Sequence, residues 1–522
     1  MNDIKILDCT LRDGGYVNDF SFGEKVISEM VCRLARANVD IIECGFLKSG
    51  CNDKDKSLFG SIQAAQKIIG VKNRNVMYVA MIQYGAISIH EIQEYDGNSI
   101  DGIRITFHEH EIEGALVLGR QLMEKGYKVF MQPVGTTTYE DDNLIRLVKK
   151  INELNPYAFY IVDTLGLMYK NDLLRLFYIV DHNLNKRISL GFHSHNNLQM
   201  SFANAQELAQ LNASRNLIID SSILGMGRGA GNLNTELLVQ YLNVNFSMKY
   251  NILDIMSVLD EFIRPLKVKY NWGYDVAYFV AAVTGCHPNY ASFLLNIQTL
   301  RMQDINAILT DLDAEQKVLY NKTYIKKKYK DYMDHEIDDS KALEEISRRI
   351  GKKKILLLAP GKSLKDNMEK IKGFIDKEKH YVVSINFRTN QLPADMIYIS
   401  NMKRFNMIKK TCASEDMDIV VTSNILLEGT HNISVVNYSS YLNENEYIYD
   451  NAGIMCINMF SKIGIKEFLL MGFDGYSNDL KKNYYEERLF LNVDEDRIYN
   501  INMAMKEKFE QLQKHLDIEF FT

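Results

Sequence analysis

The chain has 522 residues, 46% of them hydrophobic, which is enough for two or three packed domains with their own cores. The formal net charge of -6 gives no electrostatic signature of a nucleic-acid-binding protein. The seven cysteines form no C-x-x-C pair, which disfavours a disulfide scaffold or a zinc knuckle and favours a reducing compartment. No signal-peptide pattern and no membrane-length apolar stretch are present, so we expect a cytoplasmic protein without a membrane span.

Short apolar runs alternate with amphipathic segments over the first half of the chain. Strands are predicted at Ile4–Thr10, Ile41–Phe46, Val76–Ile82, Gly102–Phe107, Lys128–Val134, Phe159–Thr164, Ser189–His195 and Leu217–Leu224. Predicted helices include 23–37, 111–125, 144–153 and 201–211. Eight such units of about 25 to 37 residues predict a (β/α)8 TIM barrel over residues 1–250. A doubly wound open sheet is the alternative fold.

The pattern changes after the eighth predicted strand. Residues 251–333 read as a helical extension in which the aromatic side chains are interpreted as core, and the highly charged residues 334–353 as a linker or exposed helix. A second α/β pattern then predicts a Rossmann-like α/β domain over residues 354–522. Its strands are predicted at Lys354–Ala359, Tyr381–Phe387, Met396–Ser400, Ile419–Thr422, Ile433–Asn437 and Glu467–Met471.

The most informative stretch is Gly-Phe-His-Ser-His-Asn-Asn at residues 191–197, which closes the seventh predicted barrel strand. Side chains alternate faces along a strand, so His193 and His195 project to the same side and can share one cation. Imidazole is the commonest nitrogen ligand of first-row divalent metals. Two satisfied polar side chains at a strand end explain an isolated pair of this kind equally well.

Other polar residues fall at the carboxyl ends of the barrel strands, where barrel enzymes place their chemistry. They are Arg12 and Asp13 after strand 1, Glu43 on strand 2, Arg104 and His108 on strand 4, and the glycine-rich stretch 225–232 after strand 8. One carboxylate and two imidazoles leave positions open on a divalent ion. We therefore propose Asp13, His193 and His195 as ligands, with Asn232 as a fourth. Such a site chelates a 2-keto acid and, with a nearby guanidinium, stabilises an enolate.

Three segments resemble the DRE-TIM metallolyase superfamily (HMGL-like). They are Leu-Asp-Cys-Thr-Leu-Arg-Asp-Gly-Gly, His-Ser-His-Asn-Asn-Leu and Gly-Met-Gly-Arg-Gly-Ala-Gly-Asn, within a similarity that covers about residues 3–300. The most similar branch is 4-hydroxy-2-oxovalerate aldolase. The resemblance implies that Asp13, His193 and His195 bind Mn²⁺ or Mg²⁺, with Zn²⁺ or Co²⁺ as further options. It also implies that Arg12 stabilises a pyruvate enolate and that Glu43 positions Arg12.

One position departs from the aldolase branch, because Tyr16 stands where those aldolases have a catalytic histidine. A tyrosine near its ordinary pKa of about 10 is a poor general base at neutral pH. The proton then passes through a metal-bound water or through His108, or Tyr16 only lines the pocket. We expect a substrate other than hydroxy-oxovalerate.

Further polar residues of the barrel have less specific patterns. Arg104 either grips a substrate carboxylate or forms a structural ion pair. Gln132 lies near the end of strand 5 and Thr136 follows it, and we expect both to contact the substrate.

In the second domain, Gly361, Lys362 and Ser363 form a strand–turn–helix segment of the kind that cradles a phosphate. The segment is not a Walker A motif, because Leu356 stands at its first glycine position. The domain faintly resembles sialyltransferase-like nucleotide-binding domains, which implies a nucleotide or sugar-phosphate ligand. A plain β–α turn is the alternative.

Together these patterns predict a divalent-metal-dependent carbon–carbon lyase or aldolase that acts on a 2-keto acid and an aldehyde. The fusion to a second domain suggests a role in surface-glycan or unusual-sugar biosynthesis, and we expect a homo-oligomer. One alternative is an acyl-CoA-dependent condensing synthase of the isopropylmalate type. Another is a catalytically silent barrel that serves as a scaffold.

Overall fold

The computed structural model describes residues 3–211, 213, 215–409, 417–427, 433–479, 482–486, 489 and 495–521. The chain divides into two compact units. The first contains residues 1–292 and 312–320, and the second contains residues 293–311 and 321–522.

The first unit is built on a closed barrel of parallel strands. The strands are β1 (Ile4–Asp8), β2 (Ile41–Leu47), β3 (Leu58–Phe59), β4 (Met77–Gln83), β5 (Gly102–Phe107), β6 (Lys128–Pro133), β7 (Ala158–Asp163), β8 (Ser189–Ser194) and β9 (Leu217–Ser221). They pair in the order β1-β9-β8-β7-β6-β5-β4-β2-β3, and a further pairing of β1 with β2 closes a ring of eight. The two-residue β3 lies outside the ring. The predicted TIM barrel is confirmed, and the open-sheet alternative is wrong.

Helices alternate with these strands. They are α1 (Glu24–Arg36), α2 (Ile62–Ile69), α3 (Ile112–Glu124), α4 (Asp141–Leu154), α5 (Lys170–Asn183), α6 (Ser201–Gln210) and α7 (Thr235–Phe246). In α1 the buried residues Ile27, Met30, Val31 and Leu34 recur at helical spacing, which gives the helix one apolar face toward the barrel.

The connection from β4 to β5 contains a 3₁₀ turn (Ile89–Glu91) where the regular pattern would have a helix. Gly85 and Gly97 in this connection both adopt a left-handed φ of +81°. Such a conformation interrupts a helix and is open mainly to glycine.

The barrel interior is packed, as in other (β/α)8 folds. Leu7, Ile41, Val79, Phe130 and Ile218 belong to one apolar cluster of strand residues. β2, β7 and β8 are buried along their whole length, because neighbouring strands and surrounding helices cover both of their faces. Polar groups on these strands therefore need partners inside the protein.

The segment after α7 is helical, as expected. Its helices are α8 (Ile252–Val258), α9 (Arg264–Lys269), α10 (Val276–Val283), α11 (Pro288–Leu295), α12 (Met302–Thr310), α13 (Ala314–Lys317), α14 (Lys322–Met333) and α15 (Ser340–Ile350). These helices do not form a body of their own, since their residues are divided between the two units.

Of the two interpretations of residues 334–353, a linker or an exposed helix, the structure has a helix, α15. Leu343, Ile346 and Ile350 of α15 are buried, and the residues on both sides of this helix belong to the second unit. The three apolar side chains share one helical face, while the charged residues that dominate the composition lie elsewhere on the helix.

The second unit contains a parallel sheet of seven strands. They are β10 (Ile355–Leu358), β11 (Tyr381–Ile385), β12 (Met396–Ile399), β13 (Asp418–Thr422), β14 (Ile433–Val436), β15 (Glu467–Met471) and β16 (Asp517–Phe520). Their order is β14-β13-β12-β11-β10-β15-β16, so the second α/β domain is confirmed, with β16 as an additional strand. The helices of this part are α16 (Lys362–Asp366), α17 (Met368–Lys377), α18 (Met402–Lys409), α19 (Ala452–Lys462) and α20 (Glu495–Leu512).

Within the described ranges, no helix combines the length and the apolar composition needed to cross a bilayer.

Candidate active site

Three predicted ligands meet at the carboxyl end of the barrel. Asp13 follows β1, His193 lies in β8, and His195 comes directly after β8. Candidate ligand atoms of the three residues lie within 4.8 Å of one another, and all three residues are buried. Asp13 Oδ2 is 3.0 Å from His193 Nε2 and 3.9 Å from His195 Nε2. The geometry is that of a facial set of one carboxylate and two imidazoles.

A tight turn after β1 positions Asp13. The backbone N–H groups of Arg12 and Asp13 both donate to the carbonyl of Cys9, at 3.1 and 2.8 Å. A Cβ atom on Gly15 would overlap the Phe20 ring, so only glycine allows this approach of the turn to the ring. The second glycine of the Arg-Asp-Gly-Gly sequence is therefore required by the tight turn that positions Asp13.

Arg12 is buried and held at two of its three nitrogens. Its Nε donates to Glu43 Oε2 at 2.7 Å, and its Nη1 donates to Asp13 Oδ2 at 2.8 Å. The third nitrogen, Nη2, is buried and has no hydrogen-bond partner among the described residues. The structure thus places a guanidinium beside the cluster, and its Nη2 group is available to donate a hydrogen bond.

A carboxylate that the sequence analysis did not select supports His193. Nδ1 of His193 donates to Asp220 Oδ2 at 2.9 Å, and Asp220 also forms an ion pair with Arg104. The sequence signal was a single acidic residue in the apolar strand 217–221. A carboxylate behind a ligating histidine sets the tautomer and the orientation of the ring.

Arg104 lies deeper in the same network. Its side chain is fully buried, pairs with Glu43 Oε2 at 2.7 Å and lies 4.9 Å from the Tyr160 ring centroid. Gln132 contacts this guanidinium when its amide oxygen is turned toward it. The geometry favours a structural ion pair for Arg104 over direct contact with a substrate carboxylate. Gln132 likewise helps to hold the Arg104 guanidinium in place.

The charges of the network set the protonation of the cluster. Burial alone would raise the pKa of Asp13, but Arg12 and the two histidines outweigh it and hold this pKa well below its usual range. Burial lowers the pKa of His195 to about 3, so this imidazole is neutral. For His193 the hydrogen bonds to Asp13 and Asp220 overcome burial and raise the pKa.

Several buried atoms of the cluster suit a bound cation. In the part of the chain that the structure describes, Asp13 Oδ1, His195 Nδ1 and Asn232 Oδ1 are buried without a hydrogen-bond partner. Asn232 pairs with His195 in a β-bridge, and its amide nitrogen donates to Met226 O at 3.0 Å. Buried polar atoms usually find partners. The residues present therefore fit a divalent metal ion.

The glycine-rich segment 225–232 closes over this region as a compact turn. Asn232 N donates to Gly225 O at 3.0 Å, and Ala230 N donates to the Asn197 side chain at 3.0 Å. A Cβ on Gly231 would overlap the Gly225 carbonyl oxygen, which explains why this turn requires glycine.

Tyr16 lies at the rim and is 36% exposed. The Arg228 guanidinium carbon lies 3.6 Å from the centroid of its ring, which also packs against Phe20 and Phe46. These contacts agree with the interpretation that Tyr16 lines the pocket.

The remaining predicted residues lie outside the cluster. His108 is half-buried, its ring stacks on His110 at 5.8 Å, and its backbone N–H donates to Glu111 Oε2 at 2.8 Å. Thr136 is fully buried, and its hydroxyl accepts from Val162 N at 2.7 Å, so it joins two barrel segments. The structure shows neither side chain in contact with the proposed ligands.

His287, from the helical segment 251–333, interacts electrostatically with residues of the site. Burial lowers its pKa to about 3, and electrostatic coupling to Arg228 and His195 lowers it further. Its Nδ1 accepts from Asn289 N at 3.1 Å. A neutral imidazole from the helical segment therefore belongs to the surroundings of the barrel mouth.

The predicted turn at residues 361–363 of the second domain contacts an acidic side chain. The Asp474 carboxylate accepts from Ser363 N at 2.6 Å and from the Ser363 hydroxyl, and Lys362 pairs with Asp366 at 3.0 Å. A Cβ on Gly361 would overlap Gly472 O, so this glycine permits close approach of two strand ends. An acidic side chain already occupies the expected phosphate cradle.

The chain is similar to several known proteins. An HMGL-like family model matches residues 104–261. An oxaloacetate decarboxylase of Mycobacterium tuberculosis is 29% identical over 45% of this chain and 69% of its own length. A 4-hydroxy-2-oxovalerate aldolase of Bacillus cereus is 25% identical over 50% of this chain and 76% of its own length. HMG-CoA lyase of Bacillus subtilis is 14% identical, with a TM-score of 0.42, over 51% of this chain and 93% of its own length.

Fold and site together define a lyase-type (β/α)8 barrel with a carboxylate–imidazole cluster at the carboxyl ends of its strands. Residues 104–261 of the first unit form an HMGL-like domain, the family of the DRE-TIM superfamily that the sequence motifs resemble.

Proposed function

We propose that the barrel is a divalent-metal-dependent carbon–carbon lyase of the aldolase type, which releases pyruvate from a 2-keto acid. The observation that supports this most directly is the buried Asp13–His193–His195 cluster with the open Nη2 of Arg12 beside it. The relatives named above are an oxaloacetate decarboxylase and a 4-hydroxy-2-oxovalerate aldolase, and both names specify a 2-keto acid.

Asp13, His193 and His195 would hold the metal ion, with Asn232 as a further oxygen donor. When bound, a divalent cation supplies Lewis-acid polarisation of a keto oxygen. Mn²⁺ or Mg²⁺ is our first assignment, with Zn²⁺ or Co²⁺ as alternatives, because imidazole and carboxylate together accept all four.

Arg12 supplies the fixed positive charge. Cleavage of the carbon–carbon bond leaves its electron pair on the keto-acid fragment as an enolate, and the open Nη2 can donate to that oxygen. Glu43 and Asp13 already hold the other two nitrogens at 2.7 and 2.8 Å, so little reorganisation accompanies the reaction. Glu43 is a positioning residue, since its contact in the site is with the guanidinium.

Tyr16 acts through Arg228 in this proposal. Its ring lies under the Arg228 guanidinium, which places a second cation at the rim where an anionic substrate enters. His108 contacts Glu111 and His110. Proton transfer by His108 would require its ring to leave these contacts and reach the cluster.

Exchange of the pyruvate methyl protons with deuterium tests the proposal without the true aldehyde. We expect purified protein supplied with Mn²⁺ or Mg²⁺ to catalyse this exchange in D₂O, followed by proton NMR, and to lose it after chelation. The His193→Ala/His195→Ala variant should be inactive even with added metal. A metal-saturated, folded wild type that exchanges no protons would support the silent-scaffold alternative instead.

The condensing-synthase alternative has a separate readout. It requires free CoA to appear when acetyl-CoA and a 2-keto acid are supplied together, which a thiol reagent detects. The surface-glycan role suggested by the domain fusion stays a prediction, as does the homo-oligomeric state.

A further inference from the structure

A cavity of about 230 Å³ lies at the carboxyl ends of the second parallel sheet. Residues 359–361, 385–386, 401 and 472–475, which follow β10, β11, β12 and β15, form part of its wall. The chain places β11 to β14 on one side of β10 and β15 on the other, so the strand order reverses between β10 and β15. Open parallel sheets bind their ligands outside the strand ends at such a switch point.

Arg404 is the most buried cation of this wall, with 9% of its surface exposed. Its Nη2 donates to the Leu489 carbonyl at 2.6 Å, and its Nη1 lies 3.8 Å from the Met407 sulfur. Burial lowers the pKa of this guanidinium, and the phenol groups of Tyr484 and Tyr476 partly oppose this effect. Burying a charge without an opposite charge costs desolvation free energy, and an anion bound in the cavity would offset that cost.

Two more cations line the same cavity. Lys403 Nζ donates to the Gln298 carbonyl at 3.1 Å, and Arg497 Nη1 donates to the Asn296 carbonyl at 2.6 Å. Burial also lowers the pKa of Lys403, and the neighbouring Arg404 lowers it further. Throughout the described residues, Lys403, Arg404 and Arg497 form no ion pair with a carboxylate, although carbonyl oxygens hold each of them in place.

The two carboxylates of the wall have other partners. Asp474 accepts from the backbone and the hydroxyl of Ser363. Asp450 accepts from the Tyr329 hydroxyl at 3.3 Å, and burial raises its pKa. Neutral donors hydrogen-bond both acids, and Arg497 also acts electrostatically on Asp450. Among the described residues of the wall, three cations and two carboxylates leave one excess positive charge.

We propose that this cavity binds a phosphorylated small molecule, with its phosphate held by Lys403, Arg404 and Arg497. A phosphate group complements this positive charge, and guanidinium groups bind phosphate oxygens through two parallel hydrogen bonds. Tyr447, Phe473 and Tyr484 on the same wall offer aromatic faces for a sugar or a base. The site is independent of the barrel chemistry. Its wall includes Gly361 and Asp474, but the proposed phosphate contacts are the three cations and not the 361–363 turn.

Binding is tested on the full chain by thermal shift and calorimetry. The probes are inorganic phosphate, glucose 6-phosphate and UMP, with glucose and uridine as matched uncharged compounds. We expect stabilisation by at least one of the two phosphate esters and by neither uncharged compound. The preferred ester identifies the source of the phosphate, either a sugar phosphate or a nucleotide.

Variants separate the cavity from general surface charge. We expect Arg497→Gln and Lys403→Gln each to weaken ester binding by about tenfold, on the scale of one charge-assisted hydrogen bond. Arg348→Gln removes an exposed arginine from α15 in the same unit and should leave binding unchanged. Arg404→Met should abolish binding while the melting temperature of the ligand-free protein stays constant or rises, because an unpaired buried charge is lost.

The proposal is overturned if neither ester stabilises the protein, or if both bind the three cavity variants as tightly as the wild type. Equal stabilisation by UMP and uridine, or by glucose 6-phosphate and glucose, would likewise exclude the phosphate as the recognised group. These outcomes are separate from the pyruvate-exchange assay, which reports on the barrel alone.

Discussion

His193 and Asp220 form a buried histidine–carboxylate pair, with Nδ1 of the ring 2.9 Å from Oδ2 of the acid. Asp220 lies in β9, next to β8 in the barrel, and the two residues are 27 positions apart in the chain. The other ring nitrogen, Nε2, lies 3.0 Å from Asp13. The pair leaves Nε2 directed at the cluster and fixes which nitrogen is available to a metal ion.

The first prediction concerns this pair. Asp220→Asn should weaken Mn²⁺ binding by about 10- to 100-fold, the usual cost of losing a carboxylate behind a ligating histidine. Titration calorimetry with Mn²⁺ measures the change. Asp40→Asn is a suitable control, because Asp40 is a partly buried carboxylate of the same unit that binds Tyr250 and the Ile6 backbone. Equal Mn²⁺ affinity in Asp220→Asn and the wild type would contradict the supporting role.

A second prediction addresses the ligands. We expect about one divalent ion per chain in the metal-loaded wild type, much less in His195→Ala, and none in the His193→Ala/His195→Ala variant. Elemental analysis by mass spectrometry after gel filtration gives the content. His90→Ala removes an exposed histidine of the same unit and should keep full occupancy. Full occupancy of the double variant would show that the ion binds elsewhere.

Arg12 gives the third prediction. Arg12→Lys keeps the charge but cannot hold Glu43 and Asp13 while presenting a third donor. We expect pyruvate exchange to slow by about 100-fold, the scale of losing one oxyanion donor, with the metal content retained. Arg215→Lys alters another buried barrel arginine, which binds the Leu184 and Ile188 carbonyls, and serves as the control. An unchanged exchange rate in Arg12→Lys would exclude the assigned role.

The sequence predicted the barrel and the ligand cluster because both depend on local patterns. Fully buried parallel strands appear as short apolar runs, and strand alternation alone places His193 and His195 on one side. Asp13 meets them because carboxyl ends of barrel strands converge. Each step needs only a strand assignment and the order of the strands.

The contacts that the sequence did not reveal depend on packing between distant segments. Asp220 reaches His193 only through the pairing of β8 with β9, and Arg104 joins it from β5. Asp474 reaches Ser363 across 111 positions of chain. The turn at 361–363 looks like a phosphate cradle when read locally, but a carboxylate from the neighbouring strand end fills it.

Asp8 provides a prediction on pH. Burial raises its pKa to about 6, above the ordinary value of 3.8, although Thr10 and Thr235 donate to it. The folded protein therefore holds this proton more tightly than the unfolded chain. The contribution of Asp8 to the free energy of unfolding should fall as the pH rises from about 4 to 6, by up to about 3 kcal/mol.

Asp8→Asn removes this titration, and the amide can still accept from Thr10 and donate to Thr235. Relative to wild type, the variant should gain stability between pH 4 and pH 7, as measured by urea unfolding at a series of pH values. Asp142→Asn, at an exposed position of α4, should not show this change. A wild-type-to-variant difference that is constant across this range would refute the assignment.

The last prediction separates the ring of Tyr16 from its hydroxyl. If the residue holds the Arg228 guanidinium through its ring face, 3.6 Å away, Tyr16→Phe should keep pyruvate exchange within about threefold of wild type. Tyr16→Ala should slow exchange by about tenfold, which corresponds to the loss of a partly desolvated cation–π contact. Arg228→Met should have a similar effect, and the double variant should be no slower than either single one, because both remove the same interaction. Proton NMR in D₂O measures all four rates under metal saturation. Loss of exchange in Tyr16→Phe would instead assign the hydroxyl to proton transfer, in the position where the hydroxy-oxovalerate aldolases that this chain resembles have a histidine.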